Sequence, residues 1–279
     1  MSDPLPPGLY IVATPIGNLG DLTMRAADIL KRADLVLAED KRVSAKLLRH
    51  IGSKAPMMAY HDHSDEGVRE RILGDLSSKA VALVSDAGTP LISDPGFKLV
   101  RAAREAGHFV TTLPGPCAAI AGLSMAGLPT DRFLFAGFLP AKAKARADTI
   151  AELSPIRATL VFYESGPRLG ESLAALAAGL GSRDAVVARE ISKLHEEVAS
   201  GPLLDLAARF TASPPKGEIV VMVGPPAERA AASEEDLDAA LIEAMQRLSP
   251  SRAAAEVAEA LSIPRKRAYA RALELGDGG

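Results

Sequence analysis

Three segments of the sequence place glycine, proline and small polar residues directly after an apolar run. They are Ala13–Asp21 (ATPIGNLGD), Val84–Gly96 (VSDAGTPLISDPG) and Leu113–Cys117 (LPGPC). In open α/β sheets, ligands bind at the carboxyl ends of the strands, and glycine there lets backbone amides and carbonyls come close to a ligand. No segment has the Walker pattern, and G-x-G-x-x-G does not follow the first apolar run. The segments are therefore either tight connections or a site that holds a nucleoside through backbone groups, and a phosphate cradle is disfavoured.

The composition describes an apolar interior and a mildly acidic chain. Of the 279 residues, 48% are hydrophobic, 4% are aromatic and none is tryptophan, so we expect a core of alanine, valine, leucine and isoleucine. The formal net charge is −3, whereas a dedicated nucleic-acid binder carries a strong positive excess. Any contact with a nucleic acid must therefore come from local basic patches.

The sequence carries no recognisable signal for targeting or for metal binding. The N-terminus has no basic segment followed by an apolar one, and no stretch is long enough to span a membrane. Cys117 is the one cysteine, which excludes an intramolecular disulfide. His61 and His63 flank Asp62 with no further cluster nearby, so an exposed polar loop is favoured over a metal site. We expect a soluble cytoplasmic protein that needs no metal.

In the first half of the chain, apolar runs alternate with segments of helical spacing. The predicted strands are Leu9–Thr14, Leu35–Ala38, Ala80–Ser85 and Phe109–Leu113, and the predicted helices are Leu22–Ala33, Ala45–His50, Val68–Leu76, Pro95–Ala106 and Cys117–Ala126. This alternation predicts an α/β layer with a mainly parallel sheet. The nearly continuous apolar strands agree, because a parallel sheet is covered on both faces.

In the second half, strands outnumber helices until the chain becomes wholly helical. The predicted strands are Phe133–Phe138, Thr159–Tyr163, Ala185–Arg189 and Ile219–Val223, and the predicted helices are Leu169–Leu180, Leu203–Phe210, Glu234–Leu248, Ser251–Leu261 and Pro264–Leu275. We expect a mixed sheet here, with Ser249 and Ser251 as helix caps and Pro264 in a first turn. With a boundary near Pro114–Pro129, the predicted domains are 1–116, 117–228 and a helical tail at 233–279.

The three glycine- and proline-containing loops occur together with further motifs. The set is Thr14–Asp21, Ala38–Asp40 with Arg42, Ser85–Gly96, Pro114–Pro116, Phe162–Ser165 (FYES), Ala188–Glu190 (ARE) with Lys193, and Lys216–Glu218 (KGE). In type and order these motifs resemble the tetrapyrrole-methylase-fold methyltransferases over residues 8–225. The resemblance implies two α/β domains with S-adenosylmethionine in the cleft between them, a small C-terminal helix-turn-helix-like domain, and a homodimer.

The resemblance also implies an activity, which is transfer of a methyl group to the ribose 2′-hydroxyl of a cytidine in the decoding region of 16S ribosomal RNA. The partner would be that RNA or the small ribosomal subunit. Two alternatives are a methylase of the same fold that acts on a tetrapyrrole or a protein, and a non-catalytic RNA-binding module for ribosome assembly. The basic tail argues against the former, and the intact loops argue against the latter.

By the same resemblance, the loop after the third predicted strand and its neighbours hold the cofactor. The cofactor residues are Asp86, Ala87, Gly88, Leu91, Ile92, Pro114, Cys117, Ala118, Tyr163, Ala188, Arg189, Gly217 and Glu218. Read from spacing alone, Asp86 could instead cap the next helix. Three positions depart from the expected pattern: Lys41 replaces a threonine, Cys117 a serine, and Gly166–Pro167 a proline-histidine pair. A histidine at that last position therefore cannot be essential to the chemistry.

The acceptor side is assigned to Pro15–Asp21 and Glu39–Arg42, again from the resemblance. The candidate RNA-binding residues are Pro15, Asn18, Arg42, Arg265, Lys266, Arg267 and Arg271. The last four belong to the basic final helix of the tail, whose cations suit phosphate contacts. The alternative is a solvated face on a small helical bundle.

A ribose hydroxyl is a poor nucleophile, so a nearby base or hydrogen-bond acceptor should assist the transfer. Our candidates for this role are Glu39, Asp40, Glu190 and Lys193. Each has a structural alternative as well. Glu39 and Asp40 could form a solvated loop, and Glu190 and Lys193 could belong to a salt-bridge network with Arg189.

Overall fold

The chain forms two compact units, Met1–Pro226 and Ala227–Gly279. The computed structural model describes residues 4–61, 65–227, 233–261 and 263–277. The first unit contains two five-stranded sheets, and the second contains three helices. None of the helices in these ranges is long and apolar enough to cross a membrane. The polar loop that we predicted around Asp62 and His63 lies outside the described residues.

The first sheet is entirely parallel, as the alternation of strands and helices predicts. Its elements are β1 (Gly8–Val12), a 3-10 helix (Leu19–Asp21), α1 (Met24–Arg32), β2 (Leu35–Ala38), α2 (Lys41–His50), β3 (Met57–Ala59), α3 (Glu66–Asp75), β4 (Ala80–Val84), α4 (Phe97–Glu105) and β5 (Val110–Leu113). The strand order is β3-β2-β4-β1-β5. The sequence pattern does not predict β3, because three residues are too few to show a period.

Helices cover both faces of this sheet, which is why its strands are apolar on both sides. Ala26 and Leu30 of α1 and Leu47 of α2 pack on one face. Ile72 of α3 and Leu99 of α4 pack on the other. All five residues of β4, the middle strand, are buried. The carboxyl ends of the strands therefore meet along one edge.

The second sheet is mixed, as predicted. Its elements are α5 (Ala118–Met125), β6 (Phe133–Phe138), α6 (Ala143–Leu153), β7 (Thr159–Ser165), α7 (Gly166–Leu180), β8 (Asp184–Arg189), β9 (Glu197–Pro202), α8 (Leu203–Ala212) and β10 (Glu218–Val223). The order is β6-β7-β10-β8-β9, with only β6 and β7 parallel. We missed α6, whose first residues (AKARAD) alternate alanine with charged residues and so lack a helical period, and β9, an edge strand that ends in Gly201–Pro202. Edge strands tolerate proline because its missing N–H faces away from the ladder.

The two sheets share packing at α5. This helix buries Ala119 and Leu123 against the second sheet, and Ile16, from the loop after β1, is buried in the same cluster. The opposite face of the second sheet packs against α7 and α8. The boundary that we predicted near Pro114–Pro129 falls on the connection between the sheets, and the division into domains 1–116 and 117–228 stays a prediction.

The second unit consists of α9 (Glu234–Met245), α10 (Pro250–Ala260) and α11 (Arg265–Asp277). Its core contains Leu237, Leu241 and Val257, together with five alanines of α10 and α11: Ala253, Ala254, Ala258, Ala268 and Ala272. Ser249 occupies the N-cap of α10 without a side-chain bond. Our prediction of Ser251 as a cap was wrong, because it lies inside α10. The true side-chain cap is Ser233 at α9, which forms a reciprocal capping box with Asp236.

The approach of α7 to α8 gives a test of the packing. A Cβ atom on Gly170 would lie 2.7 Å from Thr211 Oγ1 and 2.9 Å from Thr211 Cα, so the helices would have to separate. Gly170→Ala should lower the free energy of unfolding by about 1–3 kcal/mol, measured by urea denaturation. The control is Gly74→Ala in α3, where a Cβ meets nothing within 4 Å and better helix propensity should add about 0.5–1 kcal/mol. Equal midpoints for the two variants would contradict the close packing of α7 on α8.

Candidate active site

The loops after β1, β4 and β5 are joined to one another by hydrogen bonds. Thr14 and Gly88 each donate a backbone N–H to the other's carbonyl, at 2.8 and 3.0 Å. Thr89 Oγ1 donates to the carbonyl of Pro116 at 2.9 Å. The three loops rich in glycine and proline therefore form one continuous wall.

This wall faces residues of the second sheet across a cavity of about 380 Å³. That volume lies in the usual range of about 300–1,000 Å³ for small-molecule sites. The residues that line it are Ile16, Glu39, Asp86, Ala87, Gly88, Thr89, Ile92, Ser93, Asp94, Ala118, Phe138, Tyr163, Glu164, Ser165, Ile191, Gly217, Glu218, Ile219 and Val220. Both sheets of the first unit thus contribute to one site.

The charged residues of the cavity wall all have the same sign. Glu39, Asp86, Asp94, Glu164 and Glu218 border the cavity, and the lining residues in the described part of the chain include no lysine, arginine or histidine. Carboxylates set between apolar walls concentrate a negative potential in the cleft. The arrangement therefore favours a ligand with a positive centre.

Crowding of these carboxylates affects their protonation. Burial raises the pKa of Asp94 to about 6, and the charges of Glu39 and Asp86 add to the rise, while a hydrogen bond from Ser85 opposes it. Burial also raises the pKa of Glu39, again with a contribution from Asp86. Asp94 and Glu39 therefore lose their charge at a higher pH than ordinary carboxyls do.

The side chain of Asp40, next to Glu39, is hydrogen-bonded to Arg42 in the first turn of α2. Its Oδ1 accepts the backbone N–H of Arg42 at 2.7 Å, which makes it the N-cap of α2, and the Arg42 guanidinium binds both carboxylate oxygens. The side-chain and backbone bonds from Arg42 lower the pKa of Asp40 to about 2. The backbone N–H of Asp40 donates to Asp86 Oδ1 at 3.0 Å. Asp40 thus anchors the start of α2 to the cavity loop but does not line the cavity.

The loop after β8 contains an ion-pair network. Lys193 Nζ donates to Glu190 Oε1 at 3.0 Å and to Glu218 Oε2 at 2.8 Å. Burial alone would lower the pKa of Lys193, but its bonds to the two carboxylates outweigh this and raise it. A bond from the backbone of Glu218 lowers the pKa of Glu190. Lys193 is therefore an ammonium ion at neutral pH and cannot accept a proton.

The same loop binds the first sheet to the second. A Cβ atom on Gly17 would lie 2.3 Å from Lys193 Cγ, because the lysine stem lies directly over that glycine. Ser192 Oγ also donates to Asp21 Oδ2, in the 3-10 helix after β1. The sequence allows Lys193 either a catalytic role or a structural role in a salt-bridge network. Its contacts here are those of the structural role.

Strained backbone is concentrated beside the cavity. Across the described ranges, the non-glycine residues with positive φ are Leu91 (74°), Ser93 (65°), Glu190 (51°) and Ser192 (66°). They lie in the loops after β4 and β8. Each such conformation costs about 1–3 kcal/mol and persists only where surrounding contacts hold it, often at functional sites.

A buried carboxylate sets the turn between β7 and α7. The side chain of Glu164 is 2% exposed, and its oxygens accept bonds from the Ser165 backbone and the Ser172 hydroxyl at 2.8 and 2.5 Å. The preceding residue, Tyr163, accepts the backbone N–H of Ala119 at 3.2 Å. Its ring lies against Phe138, with centroids 5.7 Å apart. This turn fixes the aromatic side of the cavity.

The structure brings many of the predicted cofactor residues together. Those that line the cavity are Asp86, Ala87, Gly88, Ile92, Ala118, Tyr163, Gly217 and Glu218, and those outside the lining are Leu91, Pro114, Cys117, Ala188 and Arg189. Ala188 is fully buried in the cluster around α5. The guanidinium of Arg189 binds Glu197 and the carbonyl of Lys216, so its ion pair is with Glu197 and not with Glu190 as the network alternative had it.

The acceptor and base candidates are more scattered. Of the four candidate bases, only Glu39 lines the cavity. Asn18 caps the 3-10 helix through a bond from Gly20 N at 2.9 Å, and Pro15 directly precedes Ile16 in the wall. In the second unit, Arg271 pairs with Asp238 and Glu274, whereas Arg265, Lys266 and Arg267 are exposed.

Several lining residues were not singled out from the sequence. They are Ile16, Thr89, Ser93, Asp94, Phe138, Glu164, Ser165, Ile191, Ile219 and Val220. Six of these stand inside the motifs that carry the resemblance, so the signal for them was present: Ile16, Thr89, Ser93, Asp94, Glu164 and Ser165. Ile16 also belongs to the segment Pro15–Asp21 that we assigned to the acceptor side. Phe138, Ile191, Ile219 and Val220 show no local signal, because only the pairing of the two sheets brings them to the cavity.

Two family models and a series of relatives match this chain. The model of the tetrapyrrole (corrin/porphyrin) methylases matches residues 8–207, and that of the RsmI C-terminal HTH domain matches residues 231–276. The ribosomal RNA small subunit methyltransferase I of Erythrobacter litoralis is 58% identical over 274 residues, covering 98% of this chain and 97% of that protein. The protein of the same name from Escherichia coli O157:H7 is 46% identical, covering 95% and 94%.

Solved structures share the fold at low sequence identity. A diphthine synthase superposes with a TM-score of 0.61 at 16% identity, over 77% of this chain and 89% of its own. The uroporphyrin-III C-methyltransferase of Thermus thermophilus, in complex with S-adenosyl homocysteine, gives 0.53 at 21% identity, over 78% and 97%. The family match over residues 8–207, with relatives that align along nearly the whole length, shows that this chain belongs to the tetrapyrrole (corrin/porphyrin) methylase family.

Proposed function

We propose that this chain transfers the methyl group of S-adenosylmethionine to the ribose 2′-hydroxyl of a cytidine in the decoding region of 16S ribosomal RNA. The observation that carries the proposal is the carboxylate-lined cavity between the two sheets of a methylase-family protein. Relatives named as ribosomal RNA small subunit methyltransferases, aligned over nearly the whole chain, support an RNA acceptor. The choice of the 2′-hydroxyl rests on the sequence resemblance.

The residues of the cavity fit this donor. S-adenosylmethionine supplies a methyl group carried on a positively charged sulfonium centre. Asp86 and Asp94 provide negative charge for a cation, and Ile16 and Val220 provide apolar surface for the base of a nucleoside. The charge of Glu218 is already paired with Lys193. Gly217, at φ 100°, leaves no room for a side chain, since a Cβ there would lie 2.3 Å from Glu190 Oε1. Gly217 also lines the cavity, so its backbone borders the space for a ligand.

Among the candidate bases, the geometry favours Glu39. It lines the cavity, and its raised pKa makes its carboxylate a better proton acceptor than an ordinary one. Asp40 is held as a weakly basic carboxylate by Arg42, and Lys193 already carries its proton. Glu39 would accept the hydroxyl proton, and Glu190 and Lys193 would hold the loop after β8 in place.

The second unit would add sequence-independent affinity for RNA. Arg265, Lys266 and Arg267 are exposed at the start of α11 and suit phosphate contacts. Arg271 is a weaker candidate than the sequence indicates, because two carboxylates already bind it. A cytoplasmic homodimer remains part of the proposal through the resemblance.

The direct test is methyl transfer to 16S ribosomal RNA isolated from a strain that lacks the gene. With labelled S-adenosylmethionine, we expect one cytidine to become resistant to alkaline cleavage, because the 2′-oxygen can no longer attack the neighbouring phosphate. A label on a base would disprove the ribose assignment. Failure to bind S-adenosylmethionine in calorimetry would favour a non-catalytic assembly module.

Asp94 should make donor binding depend on pH. Above its pKa of about 6 the carboxylate is ionised and attracts a sulfonium, and below it the attraction is lost. The affinity for S-adenosylmethionine relative to neutral S-adenosylhomocysteine should therefore rise by roughly three- to tenfold from pH 5 to pH 7.5. Asp94→Asn should lose most of this rise in titration calorimetry. The exposed Asp131→Asn is the control, and an unaltered rise in Asp94→Asn would refute the role of Asp94.

Replacement of Glu39 tests its role as the base. Glu39→Gln should lower kcat by about 100-fold or more, with donor affinity changed only a few-fold. In the wild type, kcat should fall as the pH drops through the raised pKa of Glu39, since protonation removes the base. This acid limb should be absent from the pH profile of the variant. A Glu66→Gln control on the exposed end of α3 should behave as wild type, and an intact limb in Glu39→Gln would exclude the role.

A further inference from the structure

Helix α2 (KRVSAKLLRH) has an unusual charge composition. It contains Lys41, Arg42, Lys46, Arg49 and His50 but no aspartate or glutamate. Among the eleven α-helices of the described ranges, every other one that carries lysine or arginine also carries a carboxylate. In a chain with a net charge of −3, this helix is a local concentration of positive charge.

The cations of α2 lie on the side opposite its packed face. With 100° of rotation per residue, Arg42, Lys46 and Arg49 fall within a sector of about 60°. The buried residues, Ser44, Leu47 and Leu48, occupy the opposite side and pack into the first sheet. The packing of α2 therefore directs this row of cations, which we call the α2 basic stripe (Arg42, Lys46 and Arg49), toward solvent.

Two cations of the stripe, Lys46 and Arg49, have no partner among the residues that the structure describes. Some exposed cations of other helices pair within their own helix, as in Arg101–Glu105 and Lys144–Asp148, and others, such as Arg25 and Arg104, form no ion pair with a described residue. Lys46 and Arg49 make no ion pair or side-chain hydrogen bond with any described residue. Like charges three or four residues apart destabilise a helix by a few tenths of a kcal/mol. The helix dipole favours Arg49 in the last turn but gives no reason for Lys46 at mid-helix.

The stripe begins at the edge of the cavity. Glu39, two residues before α2, lines the cavity, and the N-cap Asp40 donates its backbone N–H to Asp86 in the cavity wall. At a rise of about 1.5 Å per residue, Arg42 and Arg49 are separated by about 10 Å along the axis. The positive charge therefore extends outward from the carboxylates of the site.

We propose that Lys46 and Arg49 bind backbone phosphates of the substrate RNA on the strand that flanks the nucleotide entering the cavity. This inference rests on the proposed function and extends it beyond Arg42 to residues that neither the motifs nor the cavity lining indicate. The carboxylates of the cavity repel phosphate, so a polyanion needs cations close to the entrance. Along the stripe, the RNA backbone stays outside while one ribose reaches the cavity.

The test compares two double variants that remove the same charge. Lys46→Ala/Arg49→Ala removes the unpaired cations of the stripe, and Arg101→Ala/Lys144→Ala removes two cations that have partners within their own helices. Binding of protein-free 16S ribosomal RNA is measured by filter retention over a range of salt concentrations. Methyl transfer and S-adenosylmethionine binding are measured on the same preparations.

We expect the stripe variant to bind RNA roughly tenfold more weakly at low salt, with a slope of log affinity against log salt shallower by about 1.5, as the loss of two phosphate contacts requires. Its donor affinity should be unchanged, and the control should keep the wild-type slope. If the stripe variant keeps the wild-type slope while the wild type methylates RNA, the inference is overturned and the proposed function stands.

Two further outcomes separate the two proposals. Wild-type protein that binds RNA without methylating it overturns the proposed function, and the slopes still decide the role of the stripe. A defect of the stripe variant on assembled small subunits, with normal binding to protein-free RNA, would mean that α2 contacts a ribosomal protein. That result would overturn the phosphate contact.

Discussion

The mutual backbone hydrogen bonds between Thr14 and Gly88 are the constraint on which the site depends. They join the loops after two neighbouring parallel strands, and the Thr89–Pro116 bond adds the loop after a third. Parallel pairing places the carboxyl ends of these strands side by side, but only such bonds give the loops one fixed surface. Because Ile16 in the first of these loops packs against the second sheet, the same surface becomes one wall of a cavity.

A second constraint is the separation of charge. Carboxylates line the cavity, and cations lie outside it, on α2 in the first unit and at the start of α11 in the second. This arrangement accounts for a protein of net charge −3 that acts on a polyanion in the proposed reaction. A positive donor and a negative acceptor need opposite local fields, and two separate regions can provide both.

Much of the fold could be predicted from sequence because its main signals are local. Apolar runs rich in β-branched residues marked the central strands, and their alternation with helices predicted a parallel sheet and then a mixed one. The elements missed were β3 and β9, which lie at sheet edges, and α6, whose alternating alanine and charged residues show no helical period. Such segments become strands or helices through the neighbours they meet, since a ladder partner or a buried face stabilises them more than their own propensity does.

The sequence by itself determined the residue types of the site, because the loop motifs contain most of the residues of the cavity wall at the carboxyl ends of the strands of the first sheet. Only the tertiary structure decided the roles. It placed Lys193 over Gly17, in an ion pair with Glu190, and made Asp40 the N-cap of α2. It also brought Asp94 close enough to Glu39 for the two charges to interact, and left Lys46 unpaired among the described residues. The physical reason is that pKa values and ion pairs depend on distances between groups far apart in the chain, and no local pattern contains those distances.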